Sequence, residues 1–169
     1  MTADRDHWRP AYIGIGSNLD HPELQVRSAF AALQKLPESG FAQCSFLYRS
    51  APMGPADQPD FVNAAAVILT KLGPDELLRS LKAVEDAQGK RRDTPRWGPR
   101  VIDLDLLVMG SLVVDEPHLH IPHPGIAARN FVLLPLADIA PHMQVPGCGS
   151  VQKLLIELGD RNPRIERVD

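Results

Sequence analysis

Arg96-Trp97-Gly98-Pro99-Arg100-Val101-Ile102-Asp103-Leu104-Asp105-Leu106-Leu107 places two carboxylates two residues apart on an apolar run, directly after a loop loaded with cations. From Val101 to Met109 apolar residues are nearly continuous, which predicts a buried strand. Alternation puts Ile102, Leu104, Leu106 and Val108 on one face and Asp103 and Asp105 on the other. At about 3.3 Å rise per residue their Cα atoms stand roughly 6 to 7 Å apart, so both carboxylates can converge on one divalent ion or on a pair about 4 Å apart. Mg²⁺ suits such a site, because it takes a few carboxylate oxygens, waters and substrate phosphates. A lone Asp in this setting is more often satisfied by an arginine in a structural ion pair. Two like charges at i and i+2 on an apolar strand are harder to explain that way and call for a cation between them.

The cations are at hand. Between Lys90 and Arg100 stand five basic residues (Lys90, Arg91, Arg92, Arg96 and Arg100) against one acid, Asp93. That is +4 in a chain whose net charge is −3, so the remainder carries −7. A solvated surface run is the plain alternative for such a loop, and nucleic acid the usual functional guess, yet a pI near 6.0 lacks the global basic footprint of a nucleic-acid binder. Small polyphosphate fits better, with arginine forks on some oxygens and Asp-bound Mg²⁺ on others.

With 169 residues, 44% hydrophobic and 23% charged, the chain is expected to form one domain over residues 1–169, with residues 1–10 a flexible extension. The first ten residues lack an apolar core segment and no run approaches 18 apolar residues, so neither a signal peptide nor a membrane span is expected and the cytoplasm is the default location. Cys44 and Cys148 are too few for a disulfide framework or a Cys-based zinc site and are read as free thiols. Sixteen prolines, nearly twice the average usage of about 5%, cluster at 52–59 and 117–146 and predict long shaped loops.

The patterning predicts a strand over 12–16, a helix over 22–36, a strand over 41–49, and a strand over 61–70 despite three alanines. A helix opening at Pro74 carries Leu77, Leu78, Leu81 and Val84 and stops at Gly89; the Asp103 strand follows. The order β-α-β-β-α-β is that of ferredoxin-like units, so the expected class is α+β, an antiparallel sheet with helices packed on it and long Pro-rich loops around the site. The C-terminal third is expected to elaborate this unit, with short helices near 127–134 and 151–158. No GxxxxGK[ST] loop is present, and Gly14 and Gly16 lack the third glycine of a dinucleotide fingerprint. Gly14-Ile15-Gly16-Ser17-Asn18 at a strand end allows close approach to a ligand, but equally a plain turn.

Taken together, Tyr12-Ile-Gly-Ile-Gly-Ser-Asn-Leu19, Tyr48-Arg-Ser-Ala-Pro-Met-Gly-Pro55, Asp57-Gln-Pro-Asp-Phe-Val-Asn63, Arg96-Trp-Gly-Pro-Arg-Val-Ile-Asp-Leu-Asp105, Ile121-Pro-His-Pro124 and Arg129-Asn-Phe-Val-Leu-Leu-Pro-Leu136 resemble the 6-hydroxymethyl-7,8-dihydropterin pyrophosphokinases of folate synthesis. The resemblance spans most of the chain, and that family's fold is ferredoxin-like. It implies transfer of the β,γ-pyrophosphoryl group of ATP to the pterin hydroxymethyl oxygen, releasing AMP, by a monomer with two small-molecule substrates and no nucleic-acid or membrane partner. Carried over by position, Asp103 and Asp105 hold two Mg²⁺ ions, and Arg92 and Arg100 neutralise the migrating group, Arg92 from a mobile loop that closes over ATP. Phe61 and Phe131 stack on the pterin, Asn63 bonds its edge, and Ser50, Ala51 and Met53 line its pocket. Glu85, Lys90, Trp97, Leu106, His123 and Arg129 join Arg92 and Arg100 on the nucleotide side. Lys90 stands where many members carry Arg, and Lys offers charge without a bidentate fork; His118 likewise stands where some have Arg.

Each residue also has a plainer role open to it. Phe61 and Phe131 are by default core residues, Asn63 can cap a turn, Glu85 can be a solvated helix-end acid, and Trp97 can cover the loop stem. His118, His120 and His123 have the spacing of a transition-metal set but no neighbouring carboxylate or thiol in sequence to complete it. Two other functions share the cationic loop: a non-catalytic nucleotide-binding module, which needs it without both Asp residues, and a metal-dependent phosphohydrolase, which does not need the aromatic and amide pocket.

Overall fold

A computed structural model describes residues 6–169. Its elements are strand β1 (Arg9–Ser17), helix α1 (Pro22–Leu33), strands β2 (Ser39–Cys44), β3 (Tyr48–Ser50) and β4 (Phe61–Thr70), helix α2 (Pro74–Ala87), strands β5 (Asp103–Met109), β6 (Val114–Glu116) and β7 (Leu119–Ile121), a 3-10 turn at Ile126–Ala128, helix α3 (Asn130–Ile139), strands β8 (Gln144–Val145) and β9 (Gly149–Ser150), helix α4 (Val151–Leu158) and strand β10 (Ile165–Arg167). β4 and β1 form the centre of an antiparallel sheet of order β10-β3-β4-β1-β5, with β5 at its edge and β2 also paired to β4. This is the ferredoxin-like arrangement the element order predicts.

The strand expected over 41–49 is two strands sharing one partner: β3 pairs Phe61–Asn63 and β2 pairs Ala66–Thr70. The break falls at Ser45, whose hydroxyl accepts the Ala65 N–H at 2.8 Å while its own N–H reaches the Ala65 carbonyl at 2.8 Å. α1 ends three residues earlier than its apolar spacing predicts. Pro37 disfavours helix at the preceding residue, and the chain closes with tight bonds from Lys35 and Leu36 to Ala32 and Leu33. β1 begins at Arg9, opposite Thr70, so residues 9–10 of the expected extension belong to the sheet; residues 1–5 lie outside the described residues.

The sheet is covered on both faces. α1 and α2 pack Phe30, Leu33, Leu77 and Leu81 on Ile13, Ile15, Leu104 and Leu106, while α3 and α4 pack Leu133, Leu136 and Leu154 on Ala65, Leu107 and Val108. Two-sided burial explains why β4 reads as an unbroken apolar run, and Ala64, Ala65 and Ala66 suit a central strand flanked by layers on both sides. The alternation predicted for β5 holds only to Leu106. Tyr12 pairs Val108 and Ile13 pairs Leu106, so Leu107 is an extra, bulged residue, and Val108 joins the α3–α4 face in place of the α1–α2 face. The helix expected near 127–134 is split at Arg129, which is extended (φ −130°, ψ 109°) between the 3-10 turn and α3. α4 matches its expected range, capped by the Ser150 hydroxyl, which accepts the Lys153 N–H at 3.1 Å.

Candidate active site

The register of β1 against β5 builds the floor of the site. Gly14 faces Asp105 and Gly16 faces Asp103, so each carboxylate has a cross-strand partner with no side chain. Gly14 and Gly16 are therefore strand residues rather than a turn. A Cβ on Gly14 would meet Leu107 at 3.3 Å, and one on Gly16 would meet the Asn63 Oδ1 at 3.0 Å. Above these glycines lies a cavity of about 120 Å³ lined by both carboxylates, Arg100 and Arg129 on one side and by Phe61, Asn63, Met53 and Phe131 on another. Ser50, Ala51 and Trp97 also line it, so all six residues expected around the pterin meet in one place. Asn63 is 6% exposed and donates its Nδ2–H to the Ser50 hydroxyl at 2.8 Å, which fixes the amide orientation.

Charge in the site is unevenly satisfied. Both oxygens of Asp103 are bonded, Oδ1 to the Lys90 ammonium and Oδ2 to the Arg100 guanidinium. Lys90 also reaches Glu85 Oε2 at 3.0 Å. Glu85, 3% exposed, lies below the strand and accepts the Leu104 N–H through Oε1 at 2.7 Å. Burial raises the Glu85 pKa, opposed by the Leu104 bond and Lys90. Burial works against the Lys90 ammonium, but Asp103 and then Glu85 outweigh it and its pKa is raised. The Asp105 carboxylate has neither a hydrogen bond nor an ion pair among the described residues, and burial, reinforced by the Asp103 charge, pushes its pKa up to about 6. An anionic pair with one unpartnered member fits a divalent cation. Asp103 and Asp105 are the residues that would hold it, with water and phosphate oxygens completing the shell.

The loop before β5 is pinned at its C-terminal end. Asn18, 2% exposed, accepts the Arg100 N–H at 2.8 Å and donates to Gln58 Oε1 and the Pro59 carbonyl, both at 3.0 Å. Gln58 donates in turn to the Trp97 carbonyl at 2.8 Å. Trp97 adopts a left-handed φ of 65°, and the Arg129 guanidinium lies 4.9 Å from its ring centroid. Gly54 is required there, since a Cβ would fall 2.5 Å from the Trp97 carbonyl oxygen. Asn18, Gly54, Gln58 and Leu107 are site residues that the sequence reading leaves without a role. The matching i, i+2 spacing of Gly14-x-Gly16 and Asp103-x-Asp105 was the available signal for the floor; nothing in periodicity announces an Asn18–Gln58 pair 40 residues apart.

The residues expected on the nucleotide side divide: Trp97, Arg100 and Arg129 line the cavity, Lys90 and Glu85 lie against Asp103 and the backbone of β5, and Arg92, Leu106 and His123 do not line it. Arg92 points back along α2, held by Asp86, Glu85 Oε2 at 3.5 Å and the Lys82 carbonyl at 3.3 Å. Leu106 is 3% exposed in the core beneath α1 and α2 and does not line the cavity; its neighbour Leu107, displaced by the bulge, does. His123 is placed beside β5, its N–H donating to the Leu107 carbonyl at 2.8 Å and its Nδ1 accepting from Gly125 at 3.0 Å; burial and then Arg129 lower its pKa. His118 bonds Asp75 at 2.6 Å and His120 bonds Asp115 at 2.9 Å, so the three histidines have separate partners.

A family model described as 7,8-dihydro-6-hydroxymethylpterin-pyrophosphokinase (HPPK) matches residues 12–141. The chain belongs to this family. The 2-amino-4-hydroxy-6-hydroxymethyldihydropteridine pyrophosphokinase of Pseudomonas aeruginosa is 47% identical over 144 residues, covering 85% of this chain and 88% of that protein. Its Haemophilus influenzae counterpart is 40% identical over 150 residues, covering 89% and 93%. Among solved structures, wild-type Plasmodium falciparum HPPK-DHPS with pterin and p-hydroxybenzoate superposes with a TM-score of 0.73 at 15% identity. That likeness shows the HPPK fold; it covers 95% of this chain and 46% of the longer one. No helix among the described residues is long and apolar enough to cross a membrane.

Proposed function

We propose that this HPPK transfers the β,γ-pyrophosphoryl group of ATP to the hydroxymethyl oxygen of 6-hydroxymethyl-7,8-dihydropterin, using Mg²⁺, two ions, held by Asp103 and Asp105. The observation that carries this is the shared cavity: two carboxylates facing two glycines, beside a slot lined by Phe61, Phe131 and the Asn63 amide. A flat heterocycle fills the slot, its faces against the phenyl rings and its polar edge on Asn63. That brings a hydroxymethyl arm to the carboxylate end. Bound Mg²⁺ supplies neutralisation of phosphate charge and polarisation of the acceptor oxygen.

The chain's own residues do the rest. Arg100, bonded to Asp103 and anchored through its N–H to Asn18, presents a guanidinium to phosphate at the cavity wall. Arg129, stacked near Trp97, adds a second. Arg92 joins only after leaving Asp86, so closure of the loop precedes transfer. Positioning and charge carry the rate, with no covalent intermediate on the protein. The enzyme acts as a cytoplasmic monomer on two small molecules, without nucleic acid; sedimentation in the presence of both substrates tests its oligomeric state.

The deciding experiment incubates the protein with ATP, Mg²⁺ and 6-hydroxymethyl-7,8-dihydropterin and separates the nucleotides. AMP formed only when pterin is present is the expected result. ADP with free phosphate would establish hydrolysis instead, and unchanged ATP a binding module.

A further inference from the structure

Among the described residues, Lys90 is the one cation that bridges two of the three carboxylates clustered at β5. Its ammonium touches Asp103 Oδ1 and stands 3.0 Å from Glu85 Oε2. Arg100 takes the other Asp103 oxygen, so each oxygen of Asp103 already faces a protein cation while keeping a second lone pair. Asp105, by contrast, has no such partner among the described residues. A divalent ion shared by Asp103 and Asp105 therefore approaches Asp103 against an ammonium on one oxygen and a guanidinium on the other, and the like charge favours withdrawal of one of them. The two candidates differ in tether. Arg100 is locked by its own N–H to Asn18 at 2.8 Å and its Nε to the Gly98 carbonyl at 3.3 Å. Lys90 follows Gly89, whose φ of +91° ends α2, and its backbone N–H is fixed to the Glu85 carbonyl at 3.0 Å, while its flexible four-carbon side chain is held only at the ammonium, by Asp103 and Glu85.

We infer that Lys90 is a built-in counter-cation that occupies the metal's electrostatic place at Asp103 and competes with the divalent ion until phosphate draws it away. This rests on Asp103 and Asp105 being the metal ligands. The exchange moves charge without breaking covalent bonds: the ammonium leaves Asp103 for phosphate oxygens as a dication arrives. Two consequences follow. Metal alone binds weakly, because the Lys90 charge opposes it; and nucleotide strengthens metal binding by receiving Lys90, a coupling that works equally in reverse. A Lys serves this exchange better than an Arg, whose planar fork would hold carboxylate bidentately.

The test is Mn²⁺ binding followed by electron paramagnetic resonance, without nucleotide, on wild type, Lys90→Gln, Lys90→Arg, Arg129→Gln and Asp105→Asn. Asp105→Asn abolishes binding if the site is as assigned; unchanged binding in that variant overturns the site itself. Lys90→Gln is expected to bind Mn²⁺ about ten-fold tighter than wild type. Lys90→Arg stays as weak as wild type or weaker. Arg129→Gln, which removes a nearby charge that does not touch Asp103, changes affinity less than two-fold. Equal gains in Lys90→Gln and Arg129→Gln would reduce the effect to general field and overturn competition, as would no gain in Lys90→Gln. Should Lys90→Gln not fold, the wild-type Lys90 ammonium ¹⁵N signal decides: addition of Mg²⁺ must shift it to a solvent-exchanging position, and an unmoved signal contradicts the inference.

Discussion

The acceptor half of the cavity and the cationic loop beside it differ in what holds them. Phe61, Asn63 and Ser50 belong to β3 and β4, strands buried between two helical layers, and Asn63 is locked to Ser50. The loop from Lys90 to Arg96 is held by ion pairs, two of them exposed: Arg92 with Asp86 of α2 and Arg91 with Asp93 inside the loop leave about half or more of each side chain in water. Exposed pairs of this kind contribute about 0–1 kcal/mol each. The slot proposed for the heterocycle is thus built into the packed sheet, while Arg92, proposed to reach phosphate, sits on a segment held by weak pairs that polyphosphate can replace. On the proposed reading, one half selects the acceptor and the other is assembled by the donor.

Substitutions at the boundary carry the largest effect. Asp103→Ala should leave a folded protein whose turnover is down by about 10³-fold or more, since an electrostatic clamp on the migrating group is lost. Steady-state kinetics checks this, and near-normal turnover would break the two-metal assignment. Arg92→Ala should lower kcat about 10²-fold while pterin affinity, measured by fluorescence titration, stays within about two-fold. Pterin binding that weakened in step would place Arg92 in the acceptor half and erase the division.

Asp105 sharpens the comparison through stability. Its folded pKa of about 6 lies above the value of an unfolded Asp, so the native state binds the extra proton and stability falls as pH rises from about 4 to 6. Asp105→Asn should remove that fall and stabilise the metal-free protein at pH 7 by on the order of 2 kcal/mol, read from urea unfolding. Unchanged pH dependence would mean that the carboxylate has a partner. The smallest effect is expected at Gly16→Ala. Its Cβ, 3.0 Å from Asn63 Oδ1, should rotate the amide and weaken pterin binding about ten-fold with ATP affinity unchanged.

How far these halves were legible in the sequence follows from the range of the interactions. The Asp-x-Asp strand, the two helices and the ferredoxin-like order were readable because 2.0 and 3.6 periodicities are local. The face assignment of β5 failed beyond Leu106, because the bulge at Leu107 arises from pairing with β1 and has no local mark. β10 was not anticipated either: Ile165–Arg167 is short and polar, and its partner is β3. For the site, the six residues expected around the pterin line one cavity, five of them in or next to a strand or at a helix start and Met53 on the loop after β3. Of the residues expected on the nucleotide side, Trp97, Arg100 and Arg129 line the same cavity, whereas Lys90 and Arg92 on the loop go to the nearest carboxylates, Glu85, Asp86 and Asp103. Sequence can name such cations but not which anion they rest on.

The central claim is that both terminal phosphoryl groups move together to an acceptor seated between Phe61 and Phe131. ATP labelled with ³²P at the β position, incubated with Mg²⁺ and the hydroxymethyldihydropterin, tests it in one chromatogram. All transferred label should travel with the pterin and the AMP released should be cold. Label appearing in ADP, or in free pyrophosphate without labelled pterin, would contradict the account.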